Sequence, residues 1–250
     1  MTAALATQSV AKRFGALEAL SGVTISLERG ARHALIGPNG AGKTTLINIL
    51  AGAAPPSSGD VFLDGERITR LTQHARVDRG LTRTFQINQL FPGLTVLESV
   101  LIAIFQRKRI GARALRRYDA HAAEIAEAHE LLATLRLDAQ ARERTAHLAY
   151  GKRRLLEIAL AMATRPRILL LDEPAAGIPS TESVEVLAVL AALPRDVTLL
   201  FIEHDMGIVF RFAERITVLV GGRVLMEGGV DEVQRDERVR AVYLGRERHD

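Results

Sequence analysis

Apolar residues follow two rhythms along this chain. Short apolar runs dominate its beginning and end, and a helical spacing fills the middle. Residues 9–12, 23–27 and 32–36 read as strands, and 59–65 as another strand that closes in a turn. Residues 81–85 are also strand-like. From Leu94 onward the character changes: 96–107 and 112–137 are rich in Ala, Leu, Glu and Arg with apolar positions at helical spacing. Few glycines and no strand signal occur there, which predicts a helical insertion. Alternation of apolar strand and helix resumes at 168–171, 197–202 and 216–220. Gly221-Gly222 lies between the apolar runs 216–220 and 224–226, the signature of a two-residue hairpin. Pro55-Pro56-Ser57-Ser58-Gly59 reads as a surface loop, and there is no internal repeat or low-complexity tract.

Composition narrows the possibilities without deciding between them. A chain of 250 residues can form one large α/β domain or a core with an inserted subdomain. Its 33 basic side chains are nearly balanced by 29 acidic ones, and aromatics make up only 4%, so a nucleic-acid partner is not expected. Cysteine is absent, which excludes disulfides and thiol chemistry. Residues 1–10 lack the basic start and long apolar core of a signal peptide. No apolar run approaches the length that spans a bilayer, so any membrane role is expected to reside in a partner chain.

The chemistry begins at Gly37-Pro38-Asn39-Gly40-Ala41-Gly42-Lys43-Thr44, which fits G-x-x-x-x-G-K-[ST]. Ala34-Leu35-Ile36 precedes it and an amphipathic segment from Thr45 to Leu50 follows, the strand–loop–helix context this motif requires. Glycines let the backbone approach phosphates and turn its N–H groups inward, and the helix N-terminus adds partial positive charge. Lys43 is a point charge for the β- and γ-phosphates, and the Thr44 hydroxyl can ligate Mg²⁺. The motif predicts a bound nucleoside triphosphate. Ile168-Leu169-Leu170-Leu171 ends in Asp172 and Glu173, an apolar strand closed by two carboxylates. Asp172 is placed to hold Mg²⁺, and Glu173 to orient or deprotonate an attacking water. Thr198-Leu199-Leu200-Phe201-Ile202 likewise ends in Glu203-His204, which points to a γ-phosphate contact from His204. Gln86 ends the strand-like run 81–85 and is by itself as readily an ordinary polar strand end.

In this order the residues resemble the nucleotide-binding subunits of ATP-binding cassette (ABC) transporters, and the resemblance covers nearly the whole chain. Gly37 to Thr44 looks like Walker A, and Ile168 to Glu173 like Walker B with its catalytic Glu. Thr84-Phe85-Gln86 looks like the Q-loop, whose Gln helps hold Mg²⁺, and His204 like the switch His. Leu148-Ala149-Tyr150-Gly151-Lys152 falls where the family's signature motif lies, and Phe14 where an aromatic stacks on adenine. The resemblance implies that Phe14, Gly37 through Thr44, and Thr45 touch ATP, and that Tyr150, Gly151 and Lys152 touch the ATP of a second chain. Thr44, Gln86 and Asp172 are the implied Mg²⁺ contacts, with Glu173, His204 and Gln86 in catalytic roles. The implied fold is one ABC nucleotide-binding domain over 1–250. It combines a RecA-like P-loop α/β core and N-terminal antiparallel β-subdomain (1–86 and 161–250) with an inserted helical subdomain (87–160).

Two departures stand out. Ala149 lacks the hydroxyl of the family's usual Leu-Ser-Gly-Gly-Gln, with Tyr150 in place of a Gly, and Pro179 stands where an Asp is usual. A signature reading Leu-Ala-Tyr-Gly, then Arg153-Arg154 and Leu156-Glu157-Ile158-Ala159, resembles the ATPases of branched-chain amino-acid uptake. Glu173-Pro174-Ala175-Ala176-Gly177, Ile202-Glu203-His204-Asp205-Met206 and the ending Val242-Tyr243-Leu244-Gly245 resemble the same group. That resemblance implies transmembrane permeases, a second ATPase subunit (identical or related) and, indirectly, a periplasmic solute-binding protein. It also implies a place on the cytoplasmic side of the bacterial inner membrane. A nucleotide-binding regulator without turnover is one rival; lipopolysaccharide-type exporter ATPases, which share the Tyr-Leu-Gly ending, and soluble non-transport ABC ATPases are the others. The latter usually carry two cassettes or a coiled-coil insertion, and this chain has neither.

Overall fold

The computed structural model describes residues 3–84, 90–111 and 121–244, which divide into two compact units. The strands in chain order are β1 (Leu5–Phe14), β2 (Leu17–Val23), β3 (Ser26–Leu27), β4 (Arg32–Ile36), β5 (Ser58–Leu63) and β6 (Glu66–Arg67). They continue with β7 (Leu81–Arg83), β8 (Ile168–Asp172), β9 (Thr198–Ile202), β10 (Arg215–Val220) and β11 (Arg223–Gly229). The helices begin with α1 (Lys43–Ala51), α2 (Gln73–Val77), α3 (Val96–Arg107) and α4 (Ala122–Thr134). They end with α5 (Tyr150–Ala163), α6 (Ser180–Ala192), α7 (Met206–Phe212), α8 (Val230–Arg235) and α9 (Glu237–Leu244).

The first unit takes in the described residues of Met1–Leu81, Arg167–Pro174 and Pro194–Asp250. Its antiparallel sheet runs β2-β1-β5-β6, with β3 also pairing β1. Here the alternation of buried and exposed positions is broken in the middle of β1. Ser9 adopts φ +48° and the register with β5 shifts between Gln8 and Ala11, a bulge that hides the full length of the strand from a reading by pattern. The predicted run 23–27 is divided between the end of β2 and the short β3.

The second sheet runs β11-β10-β4-β9-β8-β7, with β7 leaving this unit after Leu81. β10, β4, β9 and β8 pair in parallel. All five residues of β4 and of β9 are buried, as parallel strands covered on both faces must be. The Gly221-Gly222 hairpin forms as the sequence predicts, with φ of +53° and +75° at its two turn residues. Positive φ at both is the requirement of the twist-compatible turn. The Gly222 N–H donates to Ala41 O at 3.0 Å, and its own carbonyl accepts from Ser21 N–H at 2.9 Å. A Cβ on Gly222 would come 2.7 Å from Ala19 O, so the close approach also demands glycine.

Leu35, Leu46, Ile47, Leu50, Leu170, Leu200 and Ile202 are fully buried in one cluster that extends to Leu5, Val10 and Leu20. Arg76 of α2 is also fully buried. Its guanidinium donates to the carbonyls of Ile49 and Leu50 at 2.7 and 2.6 Å, and to Leu71 and Thr69 at 3.2 and 3.1 Å. A cation thus closes the C-terminus of α1, where the last carbonyls lack helical donors. Burial lowers its pKa to about 10, which leaves it charged at neutral pH.

His33, also fully buried, places Nε2 2.7 Å from Thr217 Oγ1, whose hydroxyl donates to Glu227 Oε2 at 3.2 Å. Because the hydroxyl proton goes to Glu227, Nε2 is the donor of the imidazole and Nδ1 carries the lone pair. Nδ1 has no hydrogen-bond partner. Burial, and secondarily Arg215, push the His33 pKa down to about 4.

The second unit takes in the described residues of Thr82–Pro166 and Ala175–Leu193. α3 opens on a capping box: Glu98 N–H donates to Thr95 Oγ1 at 3.2 Å, and Thr95 N–H to Glu98 Oε2 at 2.7 Å. Its buried Val96, Leu97, Val100, Leu101, Ile104 and Phe105 lie at helical spacing, and α3 packs on α4 and α5. The helix predicted to reach residue 137 ends at Thr134, since Arg136 takes φ +56°. Within α5, Arg154 and Glu157 pair at 2.6 Å in the interior, and burial raises the Glu157 pKa against the pull of Arg154.

Candidate functional site

The sheet order sets the site. β4, β9 and β8 are adjacent and parallel, so the segments leaving their carboxyl ends meet on one edge. Gly37 to Gly42 leave β4, Glu203-His204 leave β9 and Asp172-Glu173 close β8, all within the first unit.

The loop after β4 lies so close against β2 and β10 that two of its positions admit only glycine. Gly37 has φ +152° and a Cβ there would lie 2.0 Å from Leu219 O; Gly42 has φ +100° and its Cβ would meet Ala19 O at 2.6 Å. Gly42 sits at the N-cap of α1 without a side-chain cap, so the first-turn N–H groups of α1 face the loop. Lys43, the first residue of α1, is buried, and its ammonium lies over the loop on the carbonyls of Gly37 and Pro38 at 2.7 and 3.0 Å. Asn39 and Gly40 are exposed and Ala41 is buried; Thr44 is exposed and Thr45 half-buried. The loop thus brings together main-chain N–H groups, an uncapped helix N-terminus and one ammonium, which suits a chain of phosphates.

Asp172 ends β8 half-buried, in register with Ile202. Glu173 follows at φ +49° with its N–H on Ile202 O at 3.1 Å. That left-handed conformation turns its side chain away from the strand direction, and His204 Nε2 meets Glu173 Oε1 at 2.6 Å. Asp205 then caps α7, accepting from the N–H groups of Gly207 and Ile208 at 2.7 and 3.2 Å, which fixes the turn that carries His204. Two carboxylates and an imidazole therefore face the edge that holds the phosphate cradle. Oxygen donors from Asp172 and from the Thr44 hydroxyl are the kind a hard divalent cation takes.

Phe14 ends β1 and is 54% exposed, with Lys12 Nζ 5.0 Å from its ring centroid. It pairs with Leu17 across the hairpin to β2, the strand whose Ala19 lies against Gly42. Gln86 lies outside the described residues.

The segment 148–152 belongs to the second unit. Ala149 is the N-cap of α5 and offers no side-chain bond. Gly151 N–H donates to Glu182 Oε2 at 2.7 Å, and Lys152 Nζ pairs with Glu185 Oε1 at 2.9 Å and with Arg136 O at 2.9 Å. Arg153 fastens the approach to α5, bonding Leu148 O at 2.9 Å and Ala146 O at 2.7 Å. Glu182 and Glu185 are not singled out by the sequence. The available signal is an acid in the first turn of a helix, which reads as ordinary dipole compensation.

A cradle of this build, with carboxylates and a histidine on the adjoining strand ends, defines an ATPase of the ABC transporter class. The chain belongs to that family: the model described as ABC transporter matches residues 20–176. A second model, described as branched-chain amino acid ATP-binding cassette transporter, matches residues 223–249. The chain is 39% identical to the high-affinity branched-chain amino acid transport ATP-binding protein BraF of Pseudomonas aeruginosa, over 96% of this chain and 97% of that one. It is 36% identical to LivG of Escherichia coli, a protein of the same description, with the same coverage. Among solved structures, an ABC transporter cassette in its ADP conformation matches with TM-score 0.84 and 30% identity, covering 98% of this chain and 100% of that one. A dimeric bacterial ABC transporter cassette matches with TM-score 0.75 and 27% identity, covering 90% and 98%. No helix among the described residues is long and apolar enough to cross a membrane.

Proposed function

We propose that this chain is the ATP-hydrolysing subunit of an importer for branched-chain amino acids or a related small solute. It works beneath separate membrane permeases on the cytoplasmic face of a bacterial inner membrane, with a periplasmic binding protein delivering the solute. The observation that carries the chemistry is the 2.6 Å contact between His204 and Glu173 beside the phosphate cradle. Relatives named for branched-chain amino acid transport support the choice of solute.

In this reading the main-chain N–H groups from Gly37 to Gly42 and the Lys43 ammonium hold the β- and γ-phosphates, and Phe14 stacks on the adenine. Thr44 and Asp172 would hold Mg²⁺, which would neutralise charge on the phosphate oxygens. Glu173 takes a proton from the attacking water as its oxygen bonds to the γ-phosphorus and the bond to ADP breaks. His204 orients Glu173 and contacts the γ-phosphate. Gly151, flanked by Tyr150 and Lys152, offers its main-chain N–H to the triphosphate of a second subunit, and closure of the pair drives the permeases. The test is reconstitution of this chain with the membrane permeases and solute-binding protein of a branched-chain amino acid importer from the same organism. ATP hydrolysis that rises with leucine, isoleucine or valine supports the reading, and hydrolysis indifferent to all three overturns the choice of solute.

A further inference from the structure

Three consecutive residues at the start of α5 are each engaged by the segment that leads into and forms α6. The Tyr150 ring lies over Gly177, its Oη 3.1 Å from where a Cβ on that glycine would stand. Gly151 N–H donates to Glu182 Oε2 at 2.7 Å, and Lys152 Nζ pairs with Glu185 Oε1 at 2.9 Å. All six residues lie within the second unit. Glu182 and Glu185 stand one turn apart on α6, so both carboxylates present to α5 from the same face.

Gly151 N–H is one of the donors at the N-terminus of α5 that has no helical acceptor, and the N-cap residue Ala149 has no hydroxyl to supply one. Glu182 supplies it from outside the helix, with a full negative charge in the positive field of the helix end. The fit is tight, since Glu182 Oε2 lies only 2.6 Å from where a Cβ on Gly151 would stand.

We infer that Glu182 is an internal occupant of the position a γ-phosphate of the second subunit must take, so that closure of the pair is held back until this carboxylate is displaced. The inference rests on the reading of Gly151 as the residue offered to the opposite triphosphate. One N–H cannot serve two anions at full strength, and two negative charges at one helix end repel each other. The Lys152–Glu185 pair draws off the nearest ammonium at the same time. ATP-dependent association therefore starts from a self-satisfied helix end, not from an open one.

The test uses the full chain carrying Glu173→Gln, which keeps ATP bound, with Glu182→Ala or Glu182→Gln added. Association is followed by light scattering over an ATP titration, and thermal melting is read on the same samples. Glu182→Ala should reach half-association at roughly one tenth of the ATP, the scale of one charge-assisted hydrogen bond. Its melting temperature should fall, because the cap of α5 is lost. Glu182→Gln, which keeps a neutral acceptor, should lie between. Opposite signs for association and melting separate a brake from a merely structural cap, which lowers both. Association at equal or higher ATP in Glu182→Ala overturns the brake and leaves self-closure standing. No association in any variant with nucleotide bound overturns self-closure and the brake together. Should the alanine variant fail to fold, Glu182→Gln decides by the same criteria.

Discussion

His204 Nε2 and Glu173 Oε1 lie 2.6 Å apart and join the ends of two neighbouring parallel strands. The pairing holds a carboxylate on the edge where the phosphate cradle opens, where the proposed hydrolysis calls for a base.

Replacing Glu173 by Gln keeps a side chain of the same shape that His204 can still reach, and removes the basicity. ATP binding should persist while single-turnover hydrolysis slows by about 10²–10⁴-fold, the range for losing a general base. Lys43→Ala should instead weaken ATP binding itself, since it removes the ammonium over the loop. Near-normal turnover in Glu173→Gln would refute the assignment.

Phe14 is exposed over 54% of its surface, so it contributes little to the core. Phe14→Ala should leave the melting temperature nearly unchanged and cost about 1–3 kcal/mol of nucleotide affinity, on the scale of aromatic–base stacking. Calorimetric titration beside a melting scan reads both quantities. A lower melting temperature with intact affinity would assign the ring to packing.

Phe91 is exposed over 64% of its surface, and its backbone carbonyl accepts from Thr145 Oγ1 at 2.6 Å. Its backbone is thus anchored while its ring is presented outward, which suits a permease helix seated on this surface. Phe91→Asp should keep the basal ATPase of the isolated subunit and abolish its stimulation by solute in the reconstituted complex. Normal stimulation would place the permease contact elsewhere.

His33 sets an acid limit on stability. Its pKa is about 4 in the folded protein and near 6.5 once unfolded, so between these values the unfolded chain binds more protons. Its contribution is complete above pH 6.5 and is lost as pH falls to 4, a change of about 3 kcal/mol. His33→Gln, whose amide can still meet Thr217 but cannot titrate, should flatten that part of a denaturant-measured stability profile. An unchanged slope would show that other groups carry it.

Residues whose roles follow from their immediate neighbours in the chain are legible in the sequence. β8 and β9 announce themselves as apolar runs followed at once by polar groups, and β4 as Ala34-Leu35-Ile36 followed by a glycine-rich loop, because a parallel strand is covered on both faces and gives way to a turn at its end. The cradle, Asp172, Glu173 and His204 sit at those ends, so reading the strands locates the candidates. Features that depend on partners far along the chain are not legible. α2 is too short to leave a periodicity, yet it carries Arg76 to the end of α1. Glu182 meets Gly151 across 31 residues, and only the packing of α6 on α5 makes that carboxylate a cap. Ser9 hides the true length of β1 because a bulge interrupts the alternation on which strand reading depends.

The hairpin at Gly221-Gly222 has a practical corollary for anyone rebuilding this chain. Short glycine turns between strands are the usual places to cut a protein for circular permutation or to splice in a tag. Here the turn is riveted by Gly222 to Ala41 of the cradle on one side and to Ser21 on the other. New termini or an inserted peptide at 221–222 would loosen the loop that carries Ala41 even if every strand still formed. The largely exposed run from Pro55 to Ser57 is fastened to β1 instead, through Pro55 O to Lys12, Ser57 Oγ to Arg13 and the Ser57 N–H to Ala11 O, so a graft there would load the strand that ends at Phe14 and leave the Gly222 bonds to Ala41 and Ser21 in place.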